Sequence, residues 1–517
     1  MKNRQLACFS KLCSLFFLSS CASQELRTAP QRSDQAWQPT VNAQNVIIPQ
    51  HSRQHTLLMP QEYSLPANKD IQIRPASAVE NAHNFTLPEL IDLAQSNNPQ
   101  TKIAWEEAKN AALSVGITKS TYLPQLTATI VGGYTHRKNQ GNSITSASAH
   151  GEIQTLGMQW LLFDFGRKEA LIKAAREDQI ASNIMFTQEH QKIIYNVTVS
   201  FYSYLSNKAH IALLQTALNN AKKIEKAAQA KLKYGQGTIT DLLQSQQLIA
   251  QSEVRLVQAQ GALNNAYITL INNIGISPKS HIAIEDIQKH DLDTHTIHLT
   301  DNIIQEYLEQ RPDVLAAYAK VKSAQSRVKA AQKEFLPKIF LSGNMAYSTG
   351  RLGLSSAPSV GSNSSPTYNL STNSFSGIIL GGVTVPIFDG GLRSATLKQA
   401  KNMSDSSEAS LQQTVDNSVK QIIVSENSLS TSLSAYSASE KLEKTSLSSF
   451  DASLISYQNN IGSIVQLAMA QNSLIDAEMN ESDAYYASLI AATDLAFASG
   501  SLTNDQPIDK NLPPKGL

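Results

Sequence analysis

The sequence predicts a mainly α-helical protein with a transmembrane β-barrel portion, in which one unit of long antiparallel coiled-coil α-hairpins and a β-hairpin occurs twice. The first observation behind this prediction is a duplication: Phe163 and Gly237 recur as Phe388 and Gly462, each 225 positions later. The second is a pair of long segments with apolar residues at every seventh position. The third is a pair of segments in which apolar and polar residues alternate.

The duplication places the first repeat at residues 85–275 and the second at residues 300–500, with a linker at 276–299. A unit of this size that occurs twice indicates one architecture built twice. Leu123-Pro124 recurs as Leu336-Pro337 only 213 positions later. The second copy therefore has a longer connection after this proline than the first.

The beginning of the chain has the pattern of a lipoprotein signal peptide at residues 1–20. Two basic residues precede a short apolar run, and Leu18-Ser19-Ser20-Cys21 resembles a bacterial lipobox. Cleavage would leave Cys21 as the acylated first residue; a plain secretory signal followed by a chance cysteine is the alternative. The other two cysteines lie inside the removed peptide, which excludes internal disulfides and cysteine metal sites in the mature chain.

The segments outside the repeats are polar. Residues 21–84 carry several prolines and no sustained period, which predicts an extended N-terminal arm, and residues 501–517 form a polar tail. The net charge is +1 and charged residues make up 16% of the chain, so the sequence shows no electrostatic footprint for nucleic acid. No phosphate-binding loop, dinucleotide turn, zinc-protease helix or nucleophile elbow occurs, and we expect neither enzymatic activity nor a cofactor.

Four histidines lie in the linker, at His281, His290, His295 and His298. Their irregular spacing does not match the spacing of zinc ligands, and no histidine-carboxylate helix motif accompanies them. A solvated linker without a metal is the prediction, and a metal site is the alternative.

Each repeat is predicted to begin with a helix and a β-hairpin. Residues 86–120 carry helically spaced apolar residues and stop before a proline, because proline disfavours helical geometry in the residue that precedes it. Two strands of about 10–13 residues are predicted within 125–163 and again within 338–388. Polar loops at 138–149 and 351–374 join them, and the second loop accounts for the longer connection.

The predicted strands each have one apolar face. These faces carry Leu126, Ala128, Ile130 and Tyr134; Leu156, Met158, Trp160 and Leu162; Ile339, Leu341, Met345 and Tyr347; and Phe375, Ile379 and Val383. Aromatic residues near strand ends form girdles in membrane barrels. Candidates for such a girdle are Trp160, Phe163, Tyr347 and Phe388, with ordinary packing as the alternative.

A long helical hairpin is predicted to complete each repeat, over residues 166–274 and 390–499. No proline or glycine interrupts residues 167–233, and apolar residues recur in these helices at a strict spacing of seven. This pattern predicts antiparallel coiled-coil hairpins. A helix of about 67 residues is roughly 100 Å long, far longer than a globular domain requires.

Four strands in one chain cannot form a closed barrel. In hydrocarbon every backbone N–H and C=O must be paired, so an open four-stranded sheet is not viable there. Eight strands, from two chains, give a barrel filled by side chains, whereas twelve strands, from three chains, leave room for water. A trimer with a 12-stranded barrel is therefore predicted.

These features resemble the TolC family of outer membrane efflux proteins, in particular its lipid-anchored members. The resemblance covers residues 85–500 and depends on the duplicated Leu-Pro helix ends, on Leu161-Leu162-Phe163-Asp164-Phe165-Gly166 with Val385-Pro386-Ile387-Phe388-Asp389-Gly390-Gly391, and on Tyr234-Gly235-Gln236-Gly237-Thr238-Ile239-Thr240-Asp241-Leu242-Leu243. It implies a homotrimer with a 12-stranded barrel and a helical tunnel across the periplasm. It also implies a lipid-anchored bacterial outer membrane channel that docks to a periplasmic adaptor protein and an inner-membrane pump.

In this family the two turns between the long helices form the closed periplasmic tip and the adaptor contact. The resemblance places this gate at Tyr234, Gly237 and Asp241 in the first copy and at Tyr457, Gly462, Gln466 and Met469 in the second. Gln466 and Met469 stand where family members often carry acidic residues, so a weakly charged pore lining is predicted. Asp241 is either a gate residue or a helix N-terminal acid favoured by the macrodipole.

Two further expectations concern the tip. Matching Tyr234 to Tyr457 implies that the second copy inserts two residues between Tyr457 and Gly462. Gly237 and Gly462 are predicted to adopt backbone angles that other residues disfavour.

Two other functions stay open at this point. The chain could be the outer membrane exit duct of a type I protein secretion system, or a non-conducting coiled-coil lipoprotein that links envelope layers. A spacer of the second kind needs no amphipathic hairpins of membrane length, and this chain has two.

Overall fold

A computed structural model describes residues 68–72, 75, 84–138, 144–292, 299–356 and 367–502. The predicted signal peptide, Cys21, nearly all of the predicted arm and the end of the tail lie outside the described residues. The chain divides into two units, Met1–Pro75 and Ala76–Leu517. In the first, the Asp70 N–H donates to the Asn68 side chain at 2.9 Å. Every element below belongs to the second.

Both repeats contain the same six elements in the same order. The first comprises α1 (Leu87–Asn97), α2 (Pro99–Ser120), β1 (Gln125–Lys138), β2 (Ile144–Phe163), α3 (Arg167–Lys233) and α4 (Ile239–Ile274). The second comprises α5 (Asp301–Gln310), α6 (Pro312–Lys333), β3 (Lys338–Ser356), β4 (Thr367–Thr384), α7 (Leu392–Gln458) and α8 (Ile464–Ala498). The helices α3 and α7 each have 67 residues. This confirms the predicted combination of long helical hairpins with β-hairpins.

The single helix predicted at 86–120 is wrong, because the chain breaks at Asn98. Pro99 follows as the first residue of α2, and the residue before a proline is pushed into extended geometry. Asn98 has φ −68° and ψ 126°. Arg311 has almost the same angles, φ −68° and ψ 124°, before Pro312.

Each of these breaks packs against the end of a long helical hairpin. Gly275 has φ 81°, and a Cβ placed on it would lie 2.5 Å from Asn98 Cα. The Asn98 side chain donates to the Asn273 carbonyl at 2.8 Å. In the second copy Gly500 adjoins Arg311, whose guanidinium donates to the Ala498 carbonyl at 2.5 Å. The breaks therefore satisfy carbonyl groups that the ends of α4 and α8 leave without partners.

The four strands form one antiparallel sheet in the order β1-β2-β3-β4, so β2 and β3 join the two hairpins. The strands have 14, 20, 19 and 18 residues, longer than predicted. They take up much of the predicted loops at 138–149 and 351–374, while residues 139–143 and 357–366 lie outside the described residues. The second hairpin ends at Thr384, before the predicted limit of 388.

The register of the sheet brings the predicted apolar positions onto one face, except Leu162, for which the prediction is wrong because it lies in the bulge between Leu161 and Phe163. Leu126 pairs with Met158, Leu156 with Met345, and Tyr347 with Phe375. Directly paired residues of neighbouring strands point to the same face. On β1 this apolar face spans about nine residues, or roughly 30 Å at ~3.3 Å per residue, which suits a membrane strand.

The long helices pack side by side. The helix α3 contacts α4 and α8, and α7 contacts α8; nearer the sheet, α3 contacts α2 and α6, and α6 contacts α7. The largest buried cluster joins both repeats and includes Val197, Phe201, Tyr202, Leu270, Ile274, Leu429, Leu433 and Tyr485. Among the helices of the described ranges, none is long and apolar enough to cross a membrane.

Replacing Gly275 by alanine is expected to lower the free energy of unfolding by at least about 1–2 kcal/mol, because left-handed backbone geometry costs an alanine that much. The clash with Asn98 adds to this. Gly261→Ala in the same helix is the control: no described atom lies within 4 Å of the added Cβ, and stability should rise by about 0.5–1 kcal/mol. Chemical unfolding followed by circular dichroism measures both. If both replacements changed the free energy of unfolding equally, the close packing of Gly275 against Asn98 would be contradicted.

Candidate gate at the paired helical turns

The structure brings the two turns between the long helices together. The Asn460 side chain donates to the Gln236 side chain at 3.5 Å, and the Lys231 ammonium donates to the Tyr457 carbonyl. Behind them lies a shared apolar cluster from both hairpins, formed by Ala221, Ile224, Ala228, Leu248, Phe450, Tyr457, Ile464, Leu467 and Leu474. The residues predicted for the tip are far apart in sequence, and these contacts bring them together in space.

The two turns are equivalent residue by residue at the spacing of 225. The helices α3 and α7 end at Lys233 and Gln458. The left-handed residue is Gly235 in one turn, with φ 71°, and Asn460 in the other, with φ 64°. The predicted two-residue insertion is therefore wrong. Tyr234 corresponds in position to Asn459, which follows α7 directly.

At Gly237 and Gly462 there is no room for a side chain. The prediction that these two residues adopt unusual backbone angles is wrong. Neither residue has positive φ. A Cβ on Gly237 would lie 2.9 Å from the Lys231 Cβ, and a Cβ on Gly462 would lie 3.1 Å from the Ser456 Cβ. Each turn therefore passes so close over the last turn of the preceding helix that a side chain at this position would collide with it.

Asp241 and Gln466 make the same local contacts. The Asp241 carboxylate accepts from the Thr238 N–H at 3.0 Å, and the Asp241 N–H donates to the Thr238 hydroxyl at 3.2 Å. Ser463 and Gln466 form the equivalent capping box, with both distances 3.2 Å. This geometry explains Asp241 as a helix N-terminal residue. A role for Asp241 in the gate stays a prediction.

The remaining predicted tip residues differ widely in exposure. Tyr234 is 75% exposed and Met469 is 66% exposed, whereas Tyr457 is only 3% exposed. Burial raises the pKa of the Tyr457 phenol, and the nearby Asp241 carboxylate adds to this rise. The Tyr457 hydroxyl has no hydrogen-bond partner within the described ranges. Tyr457 therefore anchors the second turn in the shared cluster.

Sequence reasoning missed two residues that join the hairpins. Gln471 is 1% exposed, and its side chain donates to the Ala217 carbonyl of α3 at 3.0 Å. Lys231 reaches from the end of α3 to Tyr457. The recurrence of Gln246 as Gln471 was a signal in the sequence. For Lys231 no signal exists, because the second copy has Ser456 at the equivalent place.

The predicted girdle residues lie at two levels of the sheet and beyond it. Tyr347 pairs with Phe375 on the apolar face. Trp160 lies nearer the helices and donates its indole N–H to the Tyr122 carbonyl at 2.7 Å. A bulge after Leu161 returns Phe163 to the face of Trp160. Phe388 lies just beyond the end of β4 at Thr384 and is 88% exposed, and its role in a girdle stays a prediction.

The histidines of the linker form no evident site. Within the described ranges, no group of three or more His, Cys, Asp or Glu side chains could hold a metal ion. The His290 N–H donates to the Tyr485 hydroxyl at 3.2 Å, and His281 is exposed. His295 and His298 lie outside the described residues.

A sheet with one apolar face, joined to helices about 100 Å long that meet in paired turns, defines a channel component of the bacterial outer membrane. Residues 90–275 and 303–501 match the outer membrane efflux protein family. The chain belongs to this family, whose members are transport proteins without enzymatic activity. This confirms the outer membrane location and the resemblance to TolC.

Individual relatives agree with this assignment. The cation efflux system protein CusC of Escherichia coli K12 is 23% identical over 455 residues, covering 86% of this chain and 93% of CusC. TolC of Vibrio cholerae is 23% identical over 432 residues, covering 82% and 93%. The probable outer membrane lipoprotein SilC of Salmonella typhimurium is 22% identical over 372 residues, covering 70% and 75%.

Solved structures show the same fold. A crystal structure of CusC superposes with a TM-score of 0.68 at 21% identity and covers 83% of this chain and 98% of that chain. The outer membrane protein VceC of Vibrio cholerae has a TM-score of 0.64 at 18% identity and covers 80% and 96%.

The equivalence of the turns predicts which glycine tolerates replacement. Gly235→Asn should leave the turn intact, because Asn460 occupies the same left-handed position and no described atom lies within 4 Å of an added Cβ. Gly237→Ala should disrupt the turn, because its Cβ meets Lys231. Hydrogen–deuterium exchange of residues 228–245 measures both. Faster exchange in Gly235→Asn, or unchanged exchange in Gly237→Ala, would contradict this equivalence.

Proposed function

We propose that three copies of the chain form a ring in which twelve strands make a transmembrane barrel and the long helices make a tunnel. Through this channel an inner-membrane pump and a periplasmic adaptor protein pass efflux substrates to the outside. The observation that carries the proposal is the pair of open edges on the sheet: β1 pairs only with β2, and β4 only with β3, within the described residues.

The open edges require partners if the apolar face lies in lipid. An edge strand leaves backbone N–H and C=O groups unpaired, and each such group costs several kcal/mol in hydrocarbon. Pairing β4 of one copy with β1 of the next removes both edges in a closed ring. Because two copies would give a barrel filled by side chains, three is the smallest number that leaves a water-filled lumen.

The helices support the same head-to-tail arrangement. The order of contacts leaves α2 and α4 on one side of the chain and α7 on the other. Exposed apolar residues occur on all three: Ile103, Leu113 and Ile117 on α2; Val254, Val257 and Ile268 on α4; Val424, Leu442 and Ile455 on α7. A neighbouring copy on each side would cover them, as in a closed heterologous ring.

The paired turns are the proposed gate and adaptor contact. They lie at the opposite end of α3 and α7 from the sheet, roughly 100 Å away. A sheet in the outer membrane would therefore place them deep in the periplasm. The relative SilC, a probable outer membrane lipoprotein, supports acylation of Cys21. The relative CusC, a cation efflux system protein, supports efflux over the alternatives of polypeptide secretion and of a non-conducting spacer.

The purified protein is expected to conduct ions in planar lipid bilayers, with weak block by a trivalent cation added on the periplasmic side. A carboxylate ring in a narrow pore attracts multivalent cations, whereas the amide of Gln466 and the thioether of Met469 do not. Asp241→Asn should change the block little. Met469→Asp should introduce a strong block, because Met469 is 66% exposed and lies outside the capping box, so that its carboxylate would be free to meet the cation.

Two outcomes would contradict this account. A folded protein that does not conduct in bilayers would refute the channel. Strong block of the wild type that Asp241→Asn leaves unchanged would refute the weakly charged lining.

A further inference from the structure

The ammonium group of Lys231, at the first turn, contacts Tyr457 at the second turn. Lys231 lies in the last turn of α3, and its ammonium donates to the carbonyl oxygen of Tyr457 in the last turn of α7. The same ammonium lies 4.0 Å from the centroid of the Tyr457 ring. The contact runs from the first repeat to the second.

The end of α7 is well suited to a cation. The last carbonyl groups of a helix have no partner within it and carry partial negative charge, which favours a lysine ammonium nearby. The Tyr457 carbonyl also accepts from the Asn460 N–H at 3.3 Å. The face of an aromatic ring attracts a cation as well, most strongly where water is excluded. Tyr457 is nearly fully buried.

The first turn holds the backbone of Lys231 in place. The Gln236 N–H donates to the Lys231 carbonyl at 2.8 Å, and Gly237 passes close enough that an added Cβ would lie 2.9 Å from the Lys231 Cβ. The equivalent residue of the second copy is Ser456, whose short side chain has no ammonium to offer. Of the equivalent residues Lys231 and Ser456, only Lys231 can therefore make this contact between the two turns.

We propose that Lys231 is the positioning residue that holds the second turn against the first, so that the two turns separate more easily when this contact is lost. The inference rests on the proposed channel function. In a ring of such helices, separation of neighbouring hairpins widens the opening, so the Lys231 contact stabilises the narrow tip.

The test compares three variants in planar bilayers. Lys231→Met keeps an unbranched apolar side chain but removes the charge, and should raise the open probability about tenfold, as expected for loss of a charged hydrogen bond. Lys231→Arg should behave like the wild type. Lys226→Met is the control, because Lys226 is exposed on the same helix. Unchanged gating in Lys231→Met, or an equal rise in Lys226→Met, would overturn the inference.

A second measurement needs no conduction. Leu467 is fully buried in the cluster shared by both hairpins, so a thiol reagent should reach the cysteine of Leu467→Cys only while the two turns are apart. Adding Lys231→Met should raise the labelling rate about tenfold, by the same factor as the open probability. Adding Lys226→Met instead should leave the labelling rate unchanged. A labelling rate that Lys231→Met does not change would overturn the inference, whereas loss of conduction in every variant, wild type included, would refute the channel instead.

Discussion

The structure depends on one constraint: backbone hydrogen-bonding groups cannot stay unpaired in hydrocarbon. Each copy contributes four strands whose register puts the predicted apolar positions on one face and leaves β1 and β4 with a free side each within the described residues. Such a sheet is stable in a membrane only when its edges meet strands of other copies. A neighbouring copy on each side would also cover the exposed apolar residues of α2, α4 and α7.

Duplication gives the chain two similar hairpins, and small differences between them give the tip its asymmetry. Gly275 and Gly500 both have positive φ beside a proline-induced helix break, but Asn98 stands at one break and Arg311 at the other. At the turns, Gly235 and Asn460 share one conformation. Lys231 has its counterpart in Ser456, so only the first turn supplies a long cation that reaches the second.

Much of the fold could be predicted from the sequence, because periodic patterns report local geometry. The heptad spacing and the absence of proline and glycine predicted the helix that the structure places at Arg167–Lys233. Alternation predicted which strand residues share a face. The break at Asn98 was missed, although Pro99 signals it, because the apolar spacing continues across it. Strand lengths were underestimated, because Ser-, Thr- and Asn-rich segments such as residues 367–374 are typical of loops and become strands here through pairing with β3.

The two turns between the long helices were located correctly in the sequence, but their geometry was predicted incorrectly in part, and their role as a gate stays a prediction. The sequence suggested that Tyr234 and Tyr457 are equivalent. The ends of α3 and α7 and the left-handed residues Gly235 and Asn460 show that Tyr234 is equivalent to Asn459 instead. Gly237 is needed because the turn passes so close to Lys231 that a side chain would not fit. A sequence pattern does not reveal such a close approach. The Lys231 contact joins two segments far apart in sequence, so it is seen only once the ends of α3 and α7 are placed beside each other in the fold.

Disulfide cross-linking of the edge strands tests the ring most directly. Cysteines would replace one polar-face residue of β1, such as Thr127 or Thr129, and one of β4, such as Ser374 or Ser376, in the same chain. Oxidation in the membrane should give species of one, two and three chains on a non-reducing gel, and none larger. Chains with a single replacement should stay monomeric. A ladder that stops at two chains, continues beyond three, or shows no link between chains would contradict the trimeric barrel.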